Sequence, residues 1–125
     1  MRLLLLLLAL GGTAPHPVLI GKVGFHNSYT ITLRTADGTP VTSIPAGTYS
    51  IKVYDYSKIH NFALGSVTEN KRIFTGGIRT TGIKTYIVTL TPGTYAYACS
   101  AHPFTMNGTF TVTAPNGAAT TTTTQ

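Results

Sequence analysis

Cysteine occurs once in the 125 residues, at Cys99, and acidic residues occur three times, at Asp37, Asp55 and Glu69. A single thiol excludes an internal disulfide framework, a four-thiolate zinc site and any copper or iron–sulfur centre that needs two cysteines. Three scattered carboxylates leave no paired-carboxylate or Ser-His-Asp arrangement to build catalysis on. Charged residues make up only 10% of the chain against 42% apolar, which excludes wholesale disorder and makes a packed core feasible. No segment sustains a 3.6-residue apolar period, so long helices are not expected. The longest apolar run, Leu3–Leu10, has eight positions. A membrane-spanning helix needs ~20.

That run follows Met1-Arg2 and precedes the small residues Gly11, Gly12, Thr13 and Ala14, the layout of a secretory signal. Residues 1–14 are therefore read as a signal peptide, with the mature chain exported to a periplasm or the cell exterior. No cysteine follows the run to carry a lipid anchor. Without Arg2, eight basic residues face three acidic ones, a formal charge of +5. Apart from Lys71-Arg72 they are dispersed, unlike a nucleic-acid footprint. Such a surface is read first as keeping a small monomeric domain soluble, with steering towards an acidic partner protein or an anionic cell surface as the second reading.

Many Thr, Val, Ile and Tyr, with thirteen Gly and seven Pro, favour short strands and turns. Tyr29-Thr30-Ile31-Thr32-Leu33-Arg34 alternates and is broken by an Asp37-Gly38 turn. In Thr48 to Tyr54, residues Tyr49, Ile51 and Val53 share one face. Ile83 to Leu90 is a β-branched run, Tyr95, Tyr97 and Cys99 share a face, and Phe110 and Val112 point the same way in the closing segment. Ser66 to Gly82 is irregular and could hide a short helical turn. Pro45-Ala46-Gly47-Thr48-Tyr49 and Pro92-Gly93-Thr94-Tyr95 read as one turn-into-strand device used twice. The pattern predicts an all-β domain over residues 15–114, an antiparallel Greek-key sandwich or barrel. The Thr-rich residues 115–125 have no apolar face to bury and read as a disordered tail or linker stub.

A free thiol in an exported protein needs a reason. One reading is an inert, buried Cys. Its neighbours argue otherwise: Cys99-Ser100-Ala101-His102-Pro103-Phe104-Thr105-Met106 puts a thiol, an imidazole and a thioether in one loop. Soft sulfur with imidazole selects copper over magnesium or calcium, and a second imidazole would complete a His₂Cys plane with Met106 as a weak axial donor. His60 is the best supplier, at the end of a distant strand. His26 is the alternative and is read as a surface residue, while His16 lies too near the signal junction to be assigned. Asn61 is placed to donate its main-chain N–H to the Cys99 sulfur and to tie its strand to Ser100.

The two segments Asp55-Tyr56-Ser57-Lys58-Ile59-His60-Asn61-Phe62 and Gly93 to Phe110, including Tyr97-Ala98-Cys99-Ser100-Ala101-His102-Pro103-Phe104-Thr105-Met106, resemble bacterial cupredoxins of the plastocyanin/azurin type. The resemblance spans roughly Val18 to Ala114. It implies that His60, Cys99, His102 and Met106 bind one type 1 copper in a Greek-key sandwich of about eight strands. It also implies one-electron transfer between redox partner proteins, with Pro103 and Phe104 as apolar docking surface beside His102. Ala98 departs from the bulkier residue that often precedes the cysteine. A multicopper oxidase would need histidines flanking that cysteine, but Ala98 and Ser100 stand there, and a non-enzyme is expected. Two other roles remain open at this point: copper storage, delivery or sensing, and a metal-free structural or adhesive sandwich.

Overall fold

The structure is a computed structural model that describes residues 15–115. The proposed signal at 1–14 and all but the first residue of the proposed tail lie outside the described residues. Among the described residues no helix is long and apolar enough to cross a membrane.

Among the described residues nine strands follow one another: β1 (Val18–Val23), β2 (Ile31–Thr35), β3 (Ser43–Pro45), β4 (Gly47–Asp55), β5 (Ala63–Ser66), β6 (Lys71–Thr75), β7 (Gly82–Leu90), β8 (Gly93–Ala98) and β9 (Asn107–Thr113). They form two sheets, ordered β2-β1-β4-β7 and β3-β9-β8-β5-β6. The two sheets form the β-sandwich expected from the alternating strands and frequent turns. The sheets are mixed, however: β1 pairs with β4 and β3 with β9 in parallel, while the other pairings are antiparallel. The parallel pairs arise because the chain changes sheet. After β2 it turns at Asp37-Gly38, with Gly38 N–H donating to Thr35 O at 2.9 Å, and supplies β3 to the second sheet. β4 then returns to the first sheet beside β1, running in the same direction.

The period-2 pattern places the core. In β4, Tyr49, Ile51 and Val53 are buried, and Val88 and Leu90 of β7 lie opposite Tyr49 and Gly47. The second sheet contributes Ile44, Leu64, Tyr95, Phe110 and Val112. Ile83 and Ile87 face outwards instead, each 59% exposed. β-Branched composition marks a strand but not which of its faces is inside. The stretch from Ser66 to Gly82, expected to be irregular, holds the edge strand β6. An edge strand with two leading cations and no fully buried position carries no readable alternation. The single short helical turn among the described residues is Phe25–Asn27.

The paired turn-into-strand phrases share a mechanism. In each, a glycine with positive φ (Gly47, 155°; Gly93, 149°) opens the strand. The tyrosine two residues later returns its hydroxyl to a carbonyl four residues back, Tyr49 to Pro45 O at 2.6 Å and Tyr95 to Thr91 O at 3.1 Å. At the other pole, Phe62 anchors the chain leading into β5. It is 2% exposed, stacks on Tyr97 at 5.5 Å and lies over Gly21, where a Cβ would come within 2.9 Å of the ring. Burial of such a ring contributes about 1.5–3 kcal/mol, and it fixes the backbone two residues after His60.

Candidate metal centre

Two loops meet at the pole where β4 and β8 end. The first leaves β4 at Asp55 and is held by local bonds. Tyr56 N–H donates to Val23 O at 3.0 Å, Ser57 N–H to the Asp55 carboxylate at 3.0 Å, and Ile59 N–H to Ser57 Oγ at 3.2 Å. Burial pushes the Asp55 carboxyl above its usual range, against the opposing pull of the Ser57 N–H and of His60. Ser57, His60, Asn61 and Phe62 are all buried. Gly24 has φ of 71°, and a Cβ there would lie 2.6 Å from Ser57 Cβ and 3.2 Å from His60 Cδ2, so only glycine fits this approach.

The second loop runs from Cys99 to Met106 and closes on itself. Cys99 N–H donates to Met106 O at 3.0 Å, Met106 N–H to His102 O at 2.9 Å and His102 N–H to Cys99 O at 3.0 Å. Asn107 Nδ2 donates to Pro103 O at 2.8 Å. This loop holds Cys99 and Met106 in the interior, 0% and 1% exposed, while Pro103 and Phe104 stand in solvent, Phe104 at 96%.

Together the loops converge His60, Cys99 and His102, whose donor atoms lie within 4.8 Å of one another. The two Nδ1 atoms are 3.1 Å apart, and Cys99 Sγ lies 3.8 Å from Nδ1 of His60 and 3.6 Å from that of His102. In a triangle with these sides the point equidistant from all three atoms is about 2.0 Å from each, the length of a transition-metal–imidazole bond and slightly short of the ~2.3 Å metal–thiolate bond. A single ion therefore fits in the plane of the donors with small adjustment. His60 Nε2 is buried without a partner, so its ring orientation is not dictated by a hydrogen bond on the far side. A two-imidazole, one-thiolate set suits a first-row transition metal and not magnesium or calcium. His102 is partly exposed and His60 is wholly enclosed, so the cluster reaches the surface through the His102 side.

Asn61 links the two loops behind the cluster. Its main-chain N–H points at Cys99 Sγ at 3.4 Å. Its side chain accepts from Ser100 N–H at 2.7 Å and donates to Ser100 Oγ at 2.9 Å and to Gly76 O at 2.8 Å. The structure thus brings His60, Cys99, His102, Asn61 and Ser100 together, and buries Met106 in the same closed loop. His26 is exposed, stacks on Phe25 at 3.9 Å and stands outside the three-residue cluster, and His16 is exposed at the start of the described chain.

Three contributors escape sequence reading. Gly24 closely approaches both Ser57 and His60, and Tyr29 lays its ring against both imidazoles, 4.6 Å from His60 and 4.8 Å from His102. Tyr29 reads from sequence as the first residue of an alternating strand, but β2 begins at Ile31. The one available signal is the turn-forming Asn27-Ser28 just before it.

No protein-family model and no curated protein matches the chain. Solved structures do. A rusticyanin structure described as a copper protein is 20% identical, with a TM-score of 0.57 and coverage of 76% of each chain. Rusticyanin from Thiobacillus ferrooxidans is 18% identical over 76% of this chain and 75% of that one, with a TM-score of 0.54. A mutant of amicyanin in its Cu(I) form is 17% identical over 77% and 82%, with a TM-score of 0.50. The likeness establishes a cupredoxin-like β-sandwich.

Proposed function

We propose that this chain is a mononuclear blue copper protein that carries single electrons between redox partner proteins outside the cytoplasm. The observation that carries the reading is the His60–Cys99–His102 triangle, whose sides accommodate one ion at bonding distance from all three donors. Met106 is the fourth donor in this proposal, from the loop that already presents Cys99 and His102. Copper bound there would supply a one-electron couple between Cu(I) and Cu(II). The protein residues do the rest. Hydrogen bonds along both loops hold the donors in place, so that little rearrangement accompanies a change of oxidation state. The Asn61 N–H stabilises charge on the Cys99 sulfur.

With four protein donors committed, no position is left for a substrate, which favours a carrier over an enzyme. The exposed Pro103 and Phe104 beside His102 offer an apolar surface for brief docking. The formal charge of +5 that remains without Arg2 favours an acidic partner. Export is supported by the Leu3–Leu10 run after Met1-Arg2.

The test is addition of Cu(II) to the purified protein, followed by voltammetry. An intense visible thiolate-to-copper band is expected at one copper per chain, absent in Cys99→Ser and retained in His26→Ala. Fast reversible voltammetry is expected of the loaded protein. A colourless product overturns the site, and a coloured protein with slow, irreversible electron exchange points to copper storage or delivery.

A further inference from the structure

Tyr29 lies at the end of an unusual loop. Between β1 and β2, Gly24, His26 and Asn27 all adopt positive φ (71°, 57° and 60°). For His26 that conformation is unfavourable and is held by the surrounding loop, whereas asparagine, the residue type at Asn27, tolerates it. The loop is closed by Gly24 N–H donating to Thr30 O at 3.0 Å and by a 2.7 Å bond between the Ser28 and Thr30 hydroxyls. Its product is the placement of one ring. Tyr29 meets His60 at an interplanar angle of 75° and His102 at 69°, and the two imidazoles meet each other at 68° across 4.9 Å. Three rings are therefore mutually edge-to-face, an arrangement favoured by the aromatic quadrupole. Among the described residues the Tyr29 hydroxyl makes no hydrogen bond to protein, so the ring alone makes these contacts. His60 is locked by full burial, but His102 sits in a surface loop and has solvent on one side.

We infer that Tyr29 is a positioning residue for the metal centre: its ring braces His102 against His60 and so slows release of the bound ion. This rests on the copper reading above. A purely structural role would change folding stability without changing the mobility of one imidazole. Bracing predicts a specific loss at His102, rescued by any aromatic ring.

The experiment compares wild type, Tyr29→Ala and Tyr29→Phe. Each protein is loaded with Cu(I), and transfer to a soluble Cu(I) chelator is timed. In parallel, NMR of the metal-free proteins follows the two histidine rings. Tyr29→Ala is expected to release Cu(I) at least ten times faster and to lose fixed contacts of the His102 ring, with His60 unchanged. Tyr29→Phe is expected to stay within twofold of wild type in both readouts. Wild-type release from Tyr29→Ala, or failure of phenylalanine to restore it, overturns the inference. If Tyr29→Ala does not fold, Tyr29→Leu makes the same comparison, keeping bulk without the aromatic edge. If wild type takes up no Cu(I), the copper reading fails by itself. The metal-free NMR then decides the bracing role: a His102 ring equally fixed in wild type and Tyr29→Ala overturns it, and one released only in Tyr29→Ala supports it.

Discussion

Asn61→Ala measures how strongly the two site loops depend on one another. The Asn61 side chain is fully buried and makes three hydrogen bonds, one to Gly76 and two to Ser100, at 2.7–2.9 Å. Alanine removes all three and leaves the Gly76 carbonyl and the Ser100 N–H without their partner. Each such bond contributes ~1 kcal/mol net, more where a stranded group stays buried. Ser100 is exposed and Gly76 partly so, so water takes up part of the loss and the bare sum of about 3 kcal/mol is the better figure. With an m-value of roughly 4 kcal/mol/M in guanidinium chloride, the unfolding midpoint of the metal-free protein falls by about 0.7 M. The melting temperature falls by about 12–24 °C. The alanine keeps its own main-chain N–H, the group that faces Cys99 Sγ, so the loss belongs to the side-chain ties to Ser100 and Gly76 and not to the sulfur contact. Guanidinium unfolding followed by circular dichroism is the assay. A loss below ~1 kcal/mol, the worth of one ordinary hydrogen bond, would refute the idea that Asn61 holds the loops together.

Other outcomes follow from the packing and the charges. Gly21→Ala places a methyl group 2.9 Å from the Phe62 ring, and overpacking of that kind costs about 1–3 kcal/mol in a denaturant titration; an unchanged midpoint would show that Phe62 is free to move. Asp55 has a folded-state pKa raised by burial, so the native state holds its proton more tightly than the unfolded chain. This group therefore adds stability as pH falls from the raised value towards the ordinary 3.8, and that contribution is lost as pH rises through the folded value. Asp55→Asn, which keeps an acceptor for the Ser57 N–H, should match or exceed wild-type stability at neutral pH and lose that advantage on acidification. Thermal melts of the metal-free proteins across pH check this, and a variant that is weaker at neutral pH with an unchanged pH profile would contradict it.

The β-sandwich was legible because alternation in Thr48–Tyr54 and Gly108–Thr113 has one dry face, and a period of two states which residues turn inwards. The parallel pairings were not legible, since which sheet β3 joins depends on contacts with β9, as in Ser43 with Thr111, 68 residues later. β6 escaped notice because an edge strand need not bury either face. That Cys99 and His102 come together could be read from spacing alone, because one short loop carries both. His60 needed an argument about distant strand ends meeting at one pole. For Tyr29 the sequence offers only the turn-forming Asn27-Ser28 before it: its contacts depend on the left-handed residues His26 and Asn27, whose placement is completed by tertiary packing.

The most direct measurement is X-ray absorption at the copper edge on the protein loaded with one equivalent of copper. Two imidazole nitrogens and one sulfur at short distance, with the sulfur lost in Cys99→Ser, are expected. A copper surrounded only by nitrogen and oxygen would contradict the assignment of His60, Cys99 and His102 as a single ion's cage.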